Sequence, residues 1–411
     1  MQILTVDIGT GTQDIFLYDS RLDIENGFKL VLPSPTMMVH QRLKEATSRG
    51  EAVLLTGVIM GGGPSQWAAE AHIRAGYSLY ATPEAARSFN DDLEAVRSMG
   101  VQILSEDEAR RLPTSVKNIE MRDFDFLSIA SAFEEFGVSL RKLAAVAVAV
   151  FDHGNAPVDV SDRQFRFDYL DRRIRETDRL SAFAYRSEEI PPIMTRLQAV
   201  TDSAGALDAP LVIMDTAPAA VLGATFDPQV AAGKRVMIAN VGNFHTLAFR
   251  LKRDEGGNYG IEGVFEHHTG LLDLEKLEDL LRSLADGSLK HTDVFDDHGH
   301  GALIYEPIPF PLDGVELNVC VTGPRRNIFK HSSPLRVSWD KKRSPRSLRS
   351  LAMTGHPTVR PYFAVPFGDM MMAGCFGLLA ASADLFPELR EPVLNSLRGN
   401  VASDRAPWDE D

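Results

Sequence analysis

Two short runs of nearly unbroken apolar residues open the chain, Ile3–Asp7 and Asp14–Tyr18, joined by the polar turn Ile8-Gly9-Thr10-Gly11-Thr12-Gln13. Strands that are apolar at both alternating positions are covered on both faces, so the pattern predicts a buried β-hairpin. Alternating units follow. Ala52–Met60 reads as a strand, Gly61-Gly62-Gly63-Pro64-Ser65 as a turn and Gln66–Ala75 as a helix. Tyr77–Ala81 reads as a second strand, Pro83–Ser98 as a helix and Val101–Leu104 as a third strand, after which Ser105 and Glu108 make a capping box. A βαβαβα succession implies a parallel, doubly covered portion of sheet.

Leu143–Phe151 is the clearest buried strand and ends at Asp152-His153-Gly154. The charged stretch Ser161–Arg186 predicts a solvated helix-loop, and the turn residues of Asp202–Asp208 mark a domain boundary. Beyond it, Leu211–Met214 predicts the first strand of a second domain, leading through Asp215-Thr216-Ala217-Pro218 into a short helix that reaches Ala224. Val236–Arg250 reads as strand, turn, strand, Leu271–Leu284 as an amphipathic helix, and Glu316–Val321 as a strand ending at Thr322-Gly323. Arg325–Arg349 is basic and predicts a loop. Tyr362–Val365 and a helix over Asp369–Ala383 close the fold, and a charged, proline-containing tail follows Phe386. The domains so read are 1–205 and 206–387, with 388–411 as a flexible tail.

Composition narrows this picture. A length of 411 residues exceeds one compact core and suits two. The formal charge of −14 argues against a nucleic-acid binder and against adhesion to an anionic membrane. Neither Ala52–Ala69, broken by its glycines, nor the short Met370–Ala383 reads as a membrane span, and Met1-Gln2-Ile3-Leu4 runs straight into a strand pattern without a signal sequence. The two cysteines, Cys320 and Cys375, sit in separate apolar runs with no CxxC spacing, which suits a reduced cytoplasmic setting and no iron–sulfur cluster held within the chain. His267, His268, His291, His298 and His300 fall close together, and Glu266-His267-His268-Thr269 and Asp297-His298-Gly299-His300 could supply metal ligands, but their spacing matches no helical or zinc pattern, so polar loops are the plainer reading.

Five motifs follow one another in a recognisable order: Val6-Asp7-Ile8-Gly9-Thr10-Gly11-Thr12-Gln13, the Leu143–Phe151 strand with Asp152, Ile238-Ala239-Asn240-Val241-Gly242-Asn243-Phe244-His245-Thr246, Val319-Cys320-Val321-Thr322-Gly323-Pro324, and the small-residue helix with Ala373, Gly377 and Ala381. This order resembles the actin-like ATPase superfamily of sugar kinases, actin and heat-shock chaperone ATPases. The resemblance implies an α/β fold of two ribonuclease-H-like domains flanking a nucleotide cleft, binding ATP with Mg²⁺. The first motif is similar to the family's first phosphate loop: Gly9 and Gly11 let the backbone approach an anion, Thr10, Thr12 and Gln13 line it, and Asp7 would hold Mg²⁺ through water, with Asp152 as a second metal candidate. The third motif resembles the second phosphate loop, with Asn240, Gly242, Asn243, His245 and Thr246 as phosphate contacts, although Asn240 stands where the pattern has Asp. The fourth resembles the adenosine motif, with Thr322, Gly323 and Arg325 near the base and Pro324 in place of a second glycine.

Asp215, followed by Thr-Ala-Pro-Ala-Ala, resembles the sugar-kinase Asp that takes a proton from the acceptor hydroxyl; capping of the following helix is the equally open alternative. The activity implied is a Mg-ATP-dependent phosphotransferase acting on a small hydroxylated molecule. The alternatives are an ATPase switch read by a partner protein and a nucleotide-binding module without turnover. Thr-Gly-Thr-Gln-Asp, Met-Gly-Gly-Gly-Pro, Gly-Asn-Phe-His-Thr and Glu-His-His-Thr-Gly together also resemble a family labelled "pyruvate formate-lyase activating enzyme-related". Radical activation needs three cluster cysteines, and two in unrelated positions do not supply them.

Overall fold

A computed structural model describes residues 1–157, 159–205, 207–331 and 357–399. The opening pattern forms β1 (Gln2–Ile8) and β2 (Thr12–Asp19), antiparallel and paired from Gln2↔Asp19 to Ile8↔Gln13. β3 (Phe28–Pro33) pairs antiparallel with β2, and Ser34-Pro35 starts the helix Pro35–Arg49; the hydrophobic pattern flagged neither element. β3 is an edge strand with few buried positions, so it carries little alternation to detect.

The alternating segment folds as expected in kind. β4 (Val53–Gly57), β5 (Leu79–Ala81), β6 (Gln102–Ile103) and β7 (Lys117–Met121) make a parallel four-stranded sheet in the order β6-β5-β4-β7. The single helix expected over Pro83–Ser98 is two short ones, Pro83–Ala86 and Leu93–Ser98, because Asp92 caps a new start through the amide of Glu94. The capping box of Ser105 and Glu108 is present.

β8 (Leu143–Val150) then pairs parallel with β1, and β9 (Ala184–Arg186) lies at the far edge beside β10 (Leu211–Asp215). β10 pairs parallel with β8, with Asp215 opposite Val150. The strand expected to open a second domain therefore completes the first sheet, whose order is β3-β2-β1-β8-β10-β9. Three antiparallel strands followed by two parallel ones is the ribonuclease-H-like arrangement. β11 (Arg235–Val241), β12 (His245–Arg253), β13 (Tyr259–His268), β14 (Gly301–Ile304), β15 (Glu316–Thr322) and β16 (Thr358–Phe363) repeat it in a second sheet ordered β14-β13-β12-β11-β15-β16, with β14 as an additional edge. The fold is α/β with two such sheets.

The described residues divide into two compact units, one within Met1–Phe165, Phe183–Gly223 and from Gly374 on, the other within Arg166–Ala182 and Ala224–Ala373. In the first, Ala147, Ala149, Val212 and Met214 of the sheet pack with Ala219, Leu378 and Ala381 from two helices. In the second, the helix Leu274–Asp286 lays Leu277, Leu280, Leu281 and Leu284 against Ala239, Val241, Val319 and Val321.

Two expectations fail for local reasons. The stretch 161–186 is not a solvated helix-loop: within the helix Asp162–Thr177, Phe167, Leu170 and Ile174 recur at helical spacing on a buried face, and Arg166 is buried with them. Residues 388–399 are not a frayed tail, since Leu389, Val393 and Leu397 at i, i+4, i+8 bury one side of the helix Pro387–Leu397. Residues 400–411 lie outside the described residues, as does the basic stretch Arg325–Arg349 beyond residue 331. No described helix is long and apolar enough to cross a membrane.

Candidate functional site

The loop end of the first sheet gathers acidic side chains. Asp7, Asp152 and Asp215 stand at the carboxyl ends of β1, β8 and β10, three adjacent parallel strands. Strand ends of an open α/β sheet are where ligands collect, because backbone amides and helix starts converge there. Asp7 is 9% exposed, and Thr216 donates its hydroxyl to Asp7 Oδ1 at 2.6 Å. Burial pushes the Asp7 carboxyl up to about 6; the Thr216 hydrogen bond works against that rise, and the Asp215 charge adds to it.

The helix Ala373–Leu385 makes room for this carboxylate. A Cβ on Gly374 would collide with Asp7 Oδ2, and one on Gly377 would collide with the carbonyl of Ala219. The small residues picked out in the sequence thus serve close approach, and Gly374 sets where the Asp7 side chain can lie.

Beside Asp7, the turn of residues 9–11 is closed by the Gly9 amide donating to the Thr12 carbonyl at 2.9 Å. Ser34 reaches under it: its hydroxyl donates to the Thr10 carbonyl at 2.5 Å and its amide to the Gly11 carbonyl at 3.1 Å. Among the described residues, no hydrogen bond claims the amides of Thr10 and Gly11. Carbonyls tied back and amides left over is the polarity an anion requires. Ser34 was not singled out from sequence, although Ser-Pro at a helix start was the available signal. Gln13 does not face this turn, because its amide nitrogen donates to the Pro33 carbonyl at 3.0 Å and so ties β2 to β3.

The other two carboxylates differ from Asp7. Asp215 Oδ1 accepts the Ala217 amide at 3.1 Å, so it does cap the helix Thr216–Ala224, which leaves a catalytic role open as well. Asp152 accepts the Gly154 amide at 2.8 Å through Oδ1, and the Arg196 and Leu197 amides at 2.9 Å each through Oδ2. Its oxygens anchor the start of the helix Thr195–Ser203.

Arg196, which sequence reasoning missed, ties these parts together. Its guanidinium forks onto Asp123 at 2.7 and 3.1 Å and donates to the Phe151 carbonyl at 2.7 Å. Burial lowers its pKa, but Asp123, Asp152 and Asp215 outweigh that and raise it. A Cβ on Gly61 would run into this guanidinium, while the Gly61 amide donates to Asp123 Oδ1 at 3.2 Å. The glycine run after β4 is therefore part of the same site's frame.

In the second unit, the turn of residues 242–244 repeats the first: the Gly242 amide donates to the His245 carbonyl at 2.9 Å. Asn240 pairs with Thr322 across parallel β11 and β15, and the Arg325 amide donates to the Val241 carbonyl at 3.0 Å. Asn240, Gly242, Thr322, Gly323 and Arg325 thus come together, and the exposed Asn243 lies at the turn tip. Thr246 points elsewhere: it is fully buried, and its hydroxyl pairs with that of Thr269 at 2.9 Å. His245 is committed through Nδ1 to Glu266 Oε1 at 2.9 Å. Glu266, itself fully buried, also receives Arg166 Nε at 2.7 Å. Burial pushes the Glu266 carboxyl up, but Arg166 and the neighbouring imidazoles hold it well below the usual range. His268 and His300 join this group, whereas His267 bonds Asp297 at 3.1 Å and His298 is exposed.

A profile of the family described as "Putative pyruvate format-lyase activating enzyme (DUF1786)" matches residues 60–328. No curated protein is significantly similar in sequence. Among solved structures, the chain is similar to a ROK family transcriptional regulator, a homolog of the E. coli MLC protein, with 8% identity over 97% of this chain and 81% of that one at a TM-score of 0.32. It is also similar to the ROK hexokinase from Thermus thermophilus (13% identity, 91% of this chain, 97% of that one, TM-score 0.27) and to a carbohydrate kinase from Novosphingobium aromaticivorans (12%, 92% and 91%, TM-score 0.24). The fold assignment rests on the strand order described above.

Proposed function

We propose that this chain, which belongs to the family whose profile it matches over residues 60–328, is a Mg-ATP-dependent phosphotransferase acting on a small hydroxylated metabolite. The observation that carries the reading is the turn of residues 9–11, with the Thr10 and Gly11 amides unclaimed and the buried Asp7 carboxylate beside it. A buried acid with a raised pKa beside unclaimed amides costs the fold stability, and such costs cluster where a cation and an anion are to be bound. This donor set fits the pair implied by the fold: hard carboxylate oxygen for Mg²⁺ and amide donors for phosphate oxygens.

In this reading Asp7 would hold Mg²⁺, while the Thr10 and Gly11 amides and the hydroxyls of Thr10 and Thr12 would bind phosphate oxygens. Mg²⁺, when bound, neutralises charge on the phosphates. Asp215 orients the acceptor hydroxyl and takes its proton, and its cap to Ala217 fixes the carboxylate for that task. Arg196 balances the surrounding carboxylates and holds Asp123 and the Gly61 turn in place. Asn240, Gly242, Asn243, Thr322, Gly323 and Arg325 are proposed as further nucleotide contacts.

The activity in the family's description is not carried over. Cys320 and Cys375 are buried, their thiols are pushed up by burial, and two are fewer than a cluster site's three ligands.

The test is a thermal-shift titration with ATP, ADP and Mg²⁺. Wild type should be raised by Mg-ATP, Asp7→Asn should not respond, and Asp215→Asn should respond yet fail to release ADP with any of a panel of sugars and polyols. No shift at millimolar Mg-ATP sinks the proposal. Asn240, an amide where the equivalent turn carries Asp7, favours slow turnover and hence a switch read by a partner protein as second reading. A Mg-ATP shift with no acceptor-dependent ADP release would select it.

A further inference from the structure

Around the end of the helix Thr195–Ser203, the first unit carries three cavities that share walls. One of about 280 Å³ lies at the carboxyl ends of β4 and β7, lined by Gly57, Arg122, Leu127 and Asp202. A second of about 260 Å³ adjoins it through Phe126 and reaches Leu143, the first residue of β8. The third, of about 390 Å³, adjoins the second through Leu207 and Ala209 and extends to Leu211 and Phe386. The three join into one groove. It meets β8 and β10 at their first residues, so it lies at the opposite end of those strands from Asp152 and Asp215.

Each cavity sets apolar carbon beside an acid that no cation neutralises. Six carboxylates and two guanidiniums line the groove. Both guanidiniums are spent inside it, Arg122 on Glu120 and Arg141 on Glu134 at 3.6 Å. Asp125 caps its own helix through Ser128, and the Glu188 carboxylate accepts from the Ser187 hydroxyl. The exposed Asp202 and Asp208 carboxylates make no hydrogen bond or ion pair among the described residues. Unpaired surface acids alone are ordinary on a chain of net charge −14; here they stand beside bare apolar surface. Leu127 is 62% exposed at the first cavity, and Phe136, 81% exposed, ends the helix Phe126–Glu135 that walls the first two.

A small metabolite would fill one cavity, whereas a peptide repeats the same pair of groups along its length. Charge decides among larger partners. Nucleic acid and anionic lipid are repelled, and a second copy meeting the groove face to face would bring the same carboxylates together. We propose that this groove binds a segment of a partner protein in which lysine or arginine alternates with bulky apolar side chains. The apolar side chains enter the cavities, and the basic ones meet Asp202, Asp208 and Glu188 on the rim. The proposal goes beyond the phosphotransferase reading and uses none of its residues.

The experiment follows the fluorescence anisotropy of a labelled synthetic peptide alternating lysine and leucine, titrated with the full chain without nucleotide. Wild type should bind it saturably, and binding should weaken as salt rises. Peptides with glutamate for lysine, or serine for leucine, should each bind at least ~10-fold more weakly. Asp202→Lys combined with Asp208→Lys should weaken the lysine–leucine peptide roughly 10-fold; both side chains are exposed and unpaired, so the fold should hold. Glu45→Lys, an exposed charge on the helix Pro35–Arg49, should bind as wild type. Equal binding of the glutamate peptide, unchanged affinity in the double variant, or no binding by wild type overturns the proposal. So does self-association in sedimentation that the double substitution abolishes, which would assign the face to a second copy. Asp7→Asn should bind the peptide as wild type, so this result and the nucleotide result fail independently.

Discussion

The two ribonuclease-H-like sheets share a hairpin turn and differ in what they place around it. Gly9 and Gly242 each donate to the carbonyl three residues on, at 2.9 Å in both, and each follows by two residues a polar side chain on the first strand. In the first sheet that side chain is Asp7, with Asp152 and Asp215 on the neighbouring strand ends; in the second it is Asn240, and the buried charge has moved to Glu266 among imidazoles. The same backbone thus carries clustered carboxylates in one unit and a buried carboxylate among imidazoles in the other. Strand order fixes where a site can be, and the side chains at the turn decide what it binds.

The largest expected effect breaks the comparison at its catalytic end. Asp215→Asn should lower acceptor-dependent ADP release by roughly 10²–10⁴-fold while keeping the Mg-ATP thermal shift, and a loss under tenfold removes Asp215 as the base. At the other end, Arg166→Met leaves Glu266 buried without its guanidinium. Urea unfolding should show a loss of about 3–5 kcal/mol, and a loss under 1 kcal/mol would mean the imidazoles alone hold that charge.

Acid–base behaviour should separate the two ends next. Asp7, raised from 3.8 to about 6 in the fold, binds a proton there that the unfolded chain has released. Ligand-free stability should therefore fall as pH rises from about 4 to about 6 and level off above, by roughly 2–4 kcal/mol for a shift of about two units. Asp7→Asn should abolish that fall and be the more stable protein at pH 7.5, even though it cannot bind Mg-ATP. Parallel stability profiles for the two proteins across this window would show that the carboxylate carries no such cost. A smaller effect sharpens the packing side. Gly374→Ala forces a methyl group against Asp7 and should cost about 1–3 kcal/mol by overpacking and weaken the nucleotide shift, whereas Asn243→Ala at the exposed second turn should change stability by less than about 0.5 kcal/mol.

Legibility followed the range of the interactions. β1, β2, β8, β11 and β12 were readable because strands covered on both faces leave apolar runs, and the capping box at Ser105 is a four-residue pattern. β3, β13 and the helix Pro35–Arg49 were not, since an edge strand, a strand carrying Glu262, Glu266 and His267, and a helix of mixed polarity lack that signature. Asp7, Asp215 and the turn glycines were singled out through local motifs. Arg196, Ser34 and Glu266 were not: their partners lie 73, 24 and up to 100 residues away. Asp152 was singled out at its strand end, but its amide partners were not legible, because they belong to a helix that starts some forty residues later.

The sequence by itself determined the hairpin turn, the carboxylate beside it and the small-residue helix, because each is specified by neighbours a few positions apart. Only the tertiary structure assigned Leu211–Asp215 to the first sheet and put the end of one βββ meander to work as a shared imidazole–carboxylate group. Parallel pairing and buried charge neutralisation join residues that chain distance does not relate. The Arg166–Glu266 pair exists because a buried charge must find its opposite wherever the fold brings one, and no local pattern records where that is.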